Sequence, residues 1–378
     1  MSRRRGQRGF TLVEALIAST IFIITVVAAT TVMVTASSLT RNAQNSSDEF
    51  DYARLAGEQI SHQLQSAGLL TPGGIYIGSA TSLNFPLFGV DGLAPYAGSV
   101  GGPPRNPPSD DLWIIVPDRN AMREPCVDPG AALPITVAAA SGQLNVQCPS
   151  GGTIGTFKPT DFLVAANLSA KTGALLSPGL TFGTSTIQYA EQSVPNFSDA
   201  PPPAGTGFQV GDMVFRATPW HYFTLPIAAV GSSPAWTGLY RHRGLAQTDP
   251  GTGTPLRDDP AYGDELVQLG IEDIQVAYGM DNNPLHPNSG DPLQYQFQAG
   301  LPAGFNASAG LRTVRLTLVA RSRQTVQEIG GSGKTQTTQG LGANGVINVE
   351  NHTIAADGYQ RAVYTRRLEL PNLTPVAL

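Results

Sequence analysis

Arg8-Gly9-Phe10-Thr11-Leu12-Val13-Glu14-Ala15-Leu16-Ile17-Ala18 is the stretch that decides the fold, because a charge-free apolar run continues from Ala15 to Thr40. That run holds 26 residues, more than the roughly 20 that cross a bilayer as an α-helix. Arg3, Arg4, Arg5 and Arg8 precede it, and basic residues before a span favour a cytoplasmic N-terminus. The remainder of the chain is therefore expected to face outward. Glu14 stands at the mouth of the run. An unpaired carboxylate in hydrocarbon is costly, so Glu14 either ends the span at headgroup depth or has a partner.

The same residues resemble the class III signal of type IV prepilins and type II secretion pseudopilins. Basic leader, Gly, Phe, Glu and uninterrupted apolar helix all stand in register. The resemblance implies that a membrane prepilin peptidase cuts between Gly9 and Phe10 and that Phe10 becomes the N-methylated first residue. It also implies that Glu14 is the docking glutamate, neutralising the N-terminal amine of an adjacent subunit inside a filament core. Losing one partner of such a buried pair costs about 3 to 5 kcal/mol, while the intact pair adds little net stability, so Glu14 should govern register more than folding.

A competing reading is a cleaved secretory signal, since Val34-Thr35-Ala36 fits a small-residue peptidase site and would release a protein starting at Ser37. Against it, the apolar run far exceeds the roughly 7 to 15 residues of a secretory core, and a Glu near its start is foreign to that pattern.

Composition bounds the rest. Charged residues make up 13% of the chain, about half the usual share, while 42 Gly and 30 Pro give 72 of 378 residues. That is a loop-rich, extracellular composition. The net charge of −5 becomes about −9 without the four leader arginines, which argues against a nucleic-acid-binding face. The two cysteines, Cys126 and Cys148, are expected to form one disulfide, as an even count in an exported chain suggests. Closing a loop of that size is worth roughly 3 kcal/mol in the chain-entropy account. Neither has a Cys or His at metal-ligand spacing.

From Arg41 to Ala67 there is no proline, and Phe50, Ala53, Gly57, Ile60, Leu64 and Ala67 recur at three- or four-residue steps. One helix from Phe10 to Ala67 would span about 87 Å, its second half free to dock on a head. Gly68 and Pro72-Gly73-Gly74 supply the stop. The expected organisation is a cleaved leader over 1–9, a transmembrane or filament-core helix over 10–40, its amphipathic continuation over 41–70, and a β-rich head over 71–378.

Within the head, short β-like runs cover Leu112 to Val116, Ile135 to Ala139, Phe162 to Ala166, Met213 to Arg216, Ile274 to Tyr278, Val314 to Ala320 and Val363 to Leu370. They predict antiparallel sheet, and with the long helix the fold class is α+β, pilin-like. Gly101 to Pro108, Pro195 to Gly207 and Gly330 to Gly345 read as long surface loops. No internal repeat of fixed period is present.

A second resemblance lies at Glu265-Leu266-Val267-Gln268-Leu269-Gly270-Ile271-Glu272-Asp273-Ile274-Gln275-Val276-Ala277-Tyr278-Gly279-Met280-Asp281, which is similar to a segment of PilW-type minor pilins. Leu239-Tyr240-Arg241, Leu311-Arg312-Thr313-Val314-Arg315-Leu316 and the Arg-rich closing strand with Pro371-Asn372-Leu373 fit the same family. Residues 75 to 210 match nothing comparable, and Leu269 stands where the family often has Gly. The alternating Leu266 to Tyr278 segment reads physically as a half-buried turn plus strand.

The family implies a membrane-held subunit that helps to prime type IV pilus assembly and ends near the filament tip. Implied partners are other minor pilins, the major pilin, a PilC/PilY-type tip adhesin, the prepilin peptidase and the inner-membrane assembly platform. The head starts periplasmic and becomes extracellular. Some 308 residues after the helix imply a radius of gyration near 19 Å, against about 13 Å for a 100-residue head, and bulky heads crowd a shaft. The alternatives are a type II secretion pseudopilin of the GspJ kind and a membrane-tethered exported binding domain.

Catalytic and cofactor readings are weak. Gly330-Gly331-Ser332-Gly333-Lys334-Thr335 resembles a P-loop, but Glu328 occupies the first required Gly position. His62, His221, His242, His286 and His352 form no metal-binding spacing, and no Gly-x-Ser-x-Gly elbow occurs. The expectation is no enzyme and no cofactor. Asp258, Asp259, Asp264 and Glu265, then Asp281 and Asp291, are weak calcium candidates, since their spacing differs from an EF-hand and exposed acidic turns are usually just solvated.

Overall fold

The computed structural model describes residues 11–68, 71, 74–77, 87–90, 109–118, 133–140, 143–146, 157–158, 161–167, 172–176, 181–182, 185–188, 210–227, 236–244, 263–281, 295–298, 311–325, 347–349, 352–354 and 359–370. One helix, α1 (Leu12–Leu64), runs 53 residues from Thr11, which caps it with extended backbone at φ −78° and ψ 149°. Its hydroxyl-bearing residues do not interrupt the apolar half. Ser19, Thr20, Thr25, Thr30, Thr31 and Thr35 each donate to a carbonyl one turn back, at 2.8 to 3.0 Å, so these six hydroxyls are met within the helix. Gln65 to Gly68 form the closing turn, with Gly68 at φ 74°.

The two halves of α1 have different surroundings. From Leu12 to Leu39 the large apolar residues stay exposed, from 42% at Val26 to 81% at Leu12. In the second half, Glu49, Ala53, Ala56, Ile60 and Leu64 are buried against the head. The predicted apolar face began at Phe50, and here the structure differs. Phe50 is 46% exposed, with its ring edge on Tyr364, and Glu49 is buried instead. At about 100° per residue the buried positions form a stripe centred between Ala53 and Ile60, and Phe50 lies at its rim.

The head opens with β1 (Ile75–Ile77), β2 (Leu87–Val90), β3 (Asp111–Pro117), β4 (Leu133–Ala140), β5 (Gln143–Val146) and β6 (Phe162–Asn167). It continues through β7 (Thr172–Leu176), β8 (Thr181–Phe182), β9 (Thr186–Gln188), β10 (Met213–Ile227), β11 (Trp236–Arg243) and β12 (Glu265–Leu269). Then come β13 (Ile271–Asp281), β14 (Tyr295–Gln298), β15 (Leu311–Thr325), β16 (Ile347–Val349), β17 (His352–Ile354) and β18 (Tyr359–Glu369). All seven predicted strands are present, and β10 extends 11 residues beyond its predicted end at Arg216.

A larger sheet is organised on β10, whose first third pairs with β6 and whose remainder pairs with β3 and β11. A smaller antiparallel sheet has the order β14-β13-β15-β18, and β16 pairs with β17 alone. The main core lies between α1, the smaller sheet and one face of β3, β10 and β11; it includes Ile60, Leu64, Ile114, Tyr222, Val276, Leu316 and Leu318. The opposite face of β3 and β10 forms a second cluster with Trp113, Ile115, Phe162, Val164 and Phe215. Burial on both faces explains why Leu112 to Val116 reads as a continuous apolar run without alternation.

Two details differ from the sequence expectation. β1 runs parallel to β7, Ile75 opposite Gly173, within a sheet that was predicted antiparallel. Gly173 allows this close approach: its amide donates to the Gly74 carbonyl at 3.0 Å, and the methyl of Thr71 fills the space of a side chain there. The Leu266 to Tyr278 segment is a corner between two sheets, where β12 pairs with β11 and β13 with β15. The turn glycine is Gly270, at φ 84°, beside the Leu269 position. Its amide donates to the Thr237 carbonyl at 2.8 Å and its carbonyl accepts from the Arg321 amide at 2.7 Å, so one residue ties both sheets.

Candidate functional site: the helix and its seat on the head

At the start of α1 the sequence Thr11-Leu12-Val13-Glu14 forms a capping box. The Thr11 hydroxyl accepts from the Glu14 amide at 3.3 Å, and Glu14 Oε2 accepts from the Thr11 amide and hydroxyl at 3.0 Å each. Two otherwise unsatisfied helix donors are thereby met. This role of Glu14 was readable as a Thr-x-x-Glu pattern before an apolar run, though the sequence reading weighed only headgroup placement and pairing with another subunit. The carboxylate is held at the Thr11 amide, so it already faces the helix N-terminus.

The second half of α1 runs alongside β18 in the same direction. Gly57 meets the Tyr364 ring, and Gln65 lines a groove with Arg366, Arg367, Leu368 and Glu369. From Glu49 to Gln65 the helix rises about 24 Å, and from Arg361 to Leu368 the strand rises about 23 Å, so the register holds along the whole contact. Tyr222 of β10 donates its hydroxyl to Gln63 Oε1 at 2.7 Å, tying the helix to the larger sheet as well. Burial pushes the Tyr222 phenol up to about 12.

Where the helix leaves the head, charged groups are buried. Arg361 makes a two-pronged bond to Glu272, Nε to Oε2 at 2.6 Å and a terminal nitrogen to Oε1 at 3.1 Å. Arg321 approaches the same carboxylate at 3.6 Å. A β-bulge between Ile271 and Asp273 lets Glu272 serve both guanidinium groups. Glu49 of α1 lies within electrostatic reach of Arg361 but forms no hydrogen bond to it.

Other polar clusters serve the head. His221 contacts Asp111 at 3.0 Å deep in the core, and the Trp113 indole stacks on its ring at 4.2 Å between centroids. Arg241 pairs with Glu265 at 2.7 and 2.9 Å and lies 4.4 Å from the centre of the Trp220 ring. Asp264, one of the calcium candidates, is 3.1 Å from His242 Nδ1. Asp281 closes β13 opposite Tyr295. Among the described residues no group of three His, Cys, Asp or Glu side chains could hold a metal. Gly9, Phe10, Cys126, Cys148, Asp258, Asp259, Asp291 and the three loop segments predicted at 101–108, 195–207 and 330–345 lie outside the described residues.

Residues 246–372 match the family model described as Type IV Pilus-assembly protein W, and residues 4–30 match the prokaryotic N-terminal methylation motif. About a third of the chain is thus similar to a PilW domain, behind a prepilin-like N-terminus. The PilW match covers the corner at Gly270, the smaller sheet and the strand that seats the helix. It leaves out residues 75 to 210, where the sequence showed no resemblance either. Among solved structures, a type IV-like pilin from Thermus thermophilus is 14% identical, with 86% of this chain and 97% of that chain covered at a TM-score of 0.26. No curated protein matches the chain.

Proposed function

We propose that this PilW-domain chain is a minor pilin of the priming complex that starts a type IV pilus and remains near its tip. The observation that carries this reading is the division of α1: its apolar half has no burial inside the chain, while the following half is fixed to the head. A span of that kind needs lipid first and other helices later. Before assembly residues 10–40 hold the chain in the inner membrane with the head in the periplasm; afterwards the same surface packs into a filament core. The role is structural, with no catalytic step.

Cleavage after Gly9 places a methylated amine on Phe10, next to the Thr11 amide that Glu14 already accepts from. A neighbouring subunit's amine can replace or share that contact, and the capping box holds the carboxylate ready for it. Other minor pilins and the major pilin supply the neighbouring helices, and the head is left to meet tip subunits such as a PilC/PilY-type adhesin. The prepilin peptidase and the assembly platform act before that.

Glu14→Ala tests the mechanism. Processing should be largely retained, whereas incorporation and piliation should fall; piliation at the wild-type level overturns it. N-terminal mass spectrometry of mature protein should give methylated Phe10, and a start at Ser37 would instead identify a released secretory product. Deletion that abolishes protein secretion but spares pili would move the chain to the GspJ-like pseudopilins.

A further inference from the structure

Glu49 is the first side chain of α1 to be buried, at the level where the helix emerges from the head, and it is 2% exposed. Neither carboxylate oxygen has a hydrogen-bond partner. The nearest cation on the seating strand, Arg361, is already committed to Glu272 through two bonds, and Arg321 of β15 leans on that same carboxylate. On its own helix Glu49 is followed by Asp51, which holds Arg54 at 3.6 Å, and preceded by Asp48. Of the other described ionisable groups on elements against α1, Tyr364 of β18 meets Gly57, Arg366, Arg367 and Glu369 line the groove by Gln65 at the far end of the seat, Arg312 and Arg315 lie at that same end of β15, Glu265 of β12 pairs with Arg241, and Asp111 of β3 contacts His221. Among the described residues a charged Glu49 would thus sit in the seat hydrogen-bonded to no cation, with Arg361 acting on it only at a distance, which is costly for a buried carboxylate.

We propose that Glu49 is a proton-operated latch between helix and head: neutral, it seats the emerging turns of α1 on β18, and ionised, it releases them. Burial, reinforced by Asp48 and opposed by Arg361, raises its carboxyl from the ordinary 4.5 to about 8. The seated state therefore holds a proton that the released state loses between those two values. Seating is strongest below pH 4.5, weakens as pH rises, by up to about tenfold per pH unit, and is weakest above pH 8. Release is confined to the turns up to Tyr52. Beyond them Ala53, Ala56, Ile60 and Leu64 keep the helix in the core. The effect would let the head tilt on its stalk in alkaline surroundings and stiffen it in acidic ones. It does not depend on whether the chain enters a filament.

Hydrogen exchange over the helix segment from 45 to 56, on the full chain in detergent micelles and corrected for intrinsic rates, tests the latch. In the wild type, protection should fall at least about tenfold between about pH 5.5 and pH 9, and Glu49→Gln should remain protected throughout. Wild-type protection that does not change with pH, or a parallel fall in both proteins, overturns the proposal. An infrared titration of the wild type needs no variant. A buried protonated carboxyl band should be present near about pH 6 and vanish by about pH 9, and its absence at the lower pH equally overturns the latch.

Discussion

Gly57 lies against the ring of Tyr364, in space that a methyl group at position 57 would have to share with Cε1 and Cδ1. The helix can approach β18 this closely because no side chain intervenes. Alanine is the better helix former by about 1 kcal/mol, but overpacking a filled contact costs about 1 to 3 kcal/mol. Gly57→Ala should therefore destabilise the full chain by up to about 2 kcal/mol in urea denaturation. In a Tyr364→Ala background the sign should reverse, because only the propensity gain remains.

The pair Glu272 and Arg361 is buried on both sides, at 4% and 2% side-chain exposure. Removing Arg361 leaves the buried Glu272 carboxylate with the weaker contact to Arg321 at 3.6 Å, so Arg361→Met should cost up to about 3 to 5 kcal/mol. Glu272→Met should cost more, since it takes the carboxylate away from Arg321 as well. The double variant should lose less than the sum, which a double-mutant cycle measures directly.

Two left-handed glycines separate backbone strain from crowding. At Gly211, φ 98°, a Cβ would meet nothing within 4 Å. At Gly270, φ 84°, it would come within 3.2 Å of Trp236 and 3.3 Å of Tyr52. Alanine at 211 should cost only the left-handed term, about 1 kcal/mol, and at 270 roughly 2 to 3 kcal/mol, in thermal denaturation of matched samples.

Tyr222 makes the seat sensitive to strong alkali. Its phenol is held up to about 12, against an ordinary 10, so its contribution is complete below pH 10 and is lost as pH rises through 12. The wild type should lose on the order of 2 kcal/mol across that interval, and Tyr222→Phe should lose less, with a penalty of about 1 kcal/mol at neutral pH for the missing Gln63 bond. Equal alkaline losses in the two proteins would exclude the phenol as the cause.

The parts of the fold that one segment decides alone were legible. The helix followed from an unbroken apolar run, a proline-free extension and Gly68, and seven strands followed from β-branched runs. What was not legible depended on pairing across distance. β11, with Arg241, His242 and Arg243, looks too polar for a strand until β10 and β12 cover its edges. The corner at Gly270 hides because alternation continues through Leu266 to Tyr278 while the partner sheet changes. At the site, the Thr11–Glu14 capping box was present as a pattern but was overshadowed by the charge of Glu14. Glu49 gave no signal, since its burial arises from β18, more than 300 residues away in the chain.

The parallel run of α1 along β18 also has a mechanical meaning. A pull along the rod, as in the proposed filament, would shear the whole seam of about 24 Å at once instead of peeling it open contact by contact. Shear-loaded seams yield only when many contacts fail together, so the head should stay on its rod under forces that would strip a crosswise attachment.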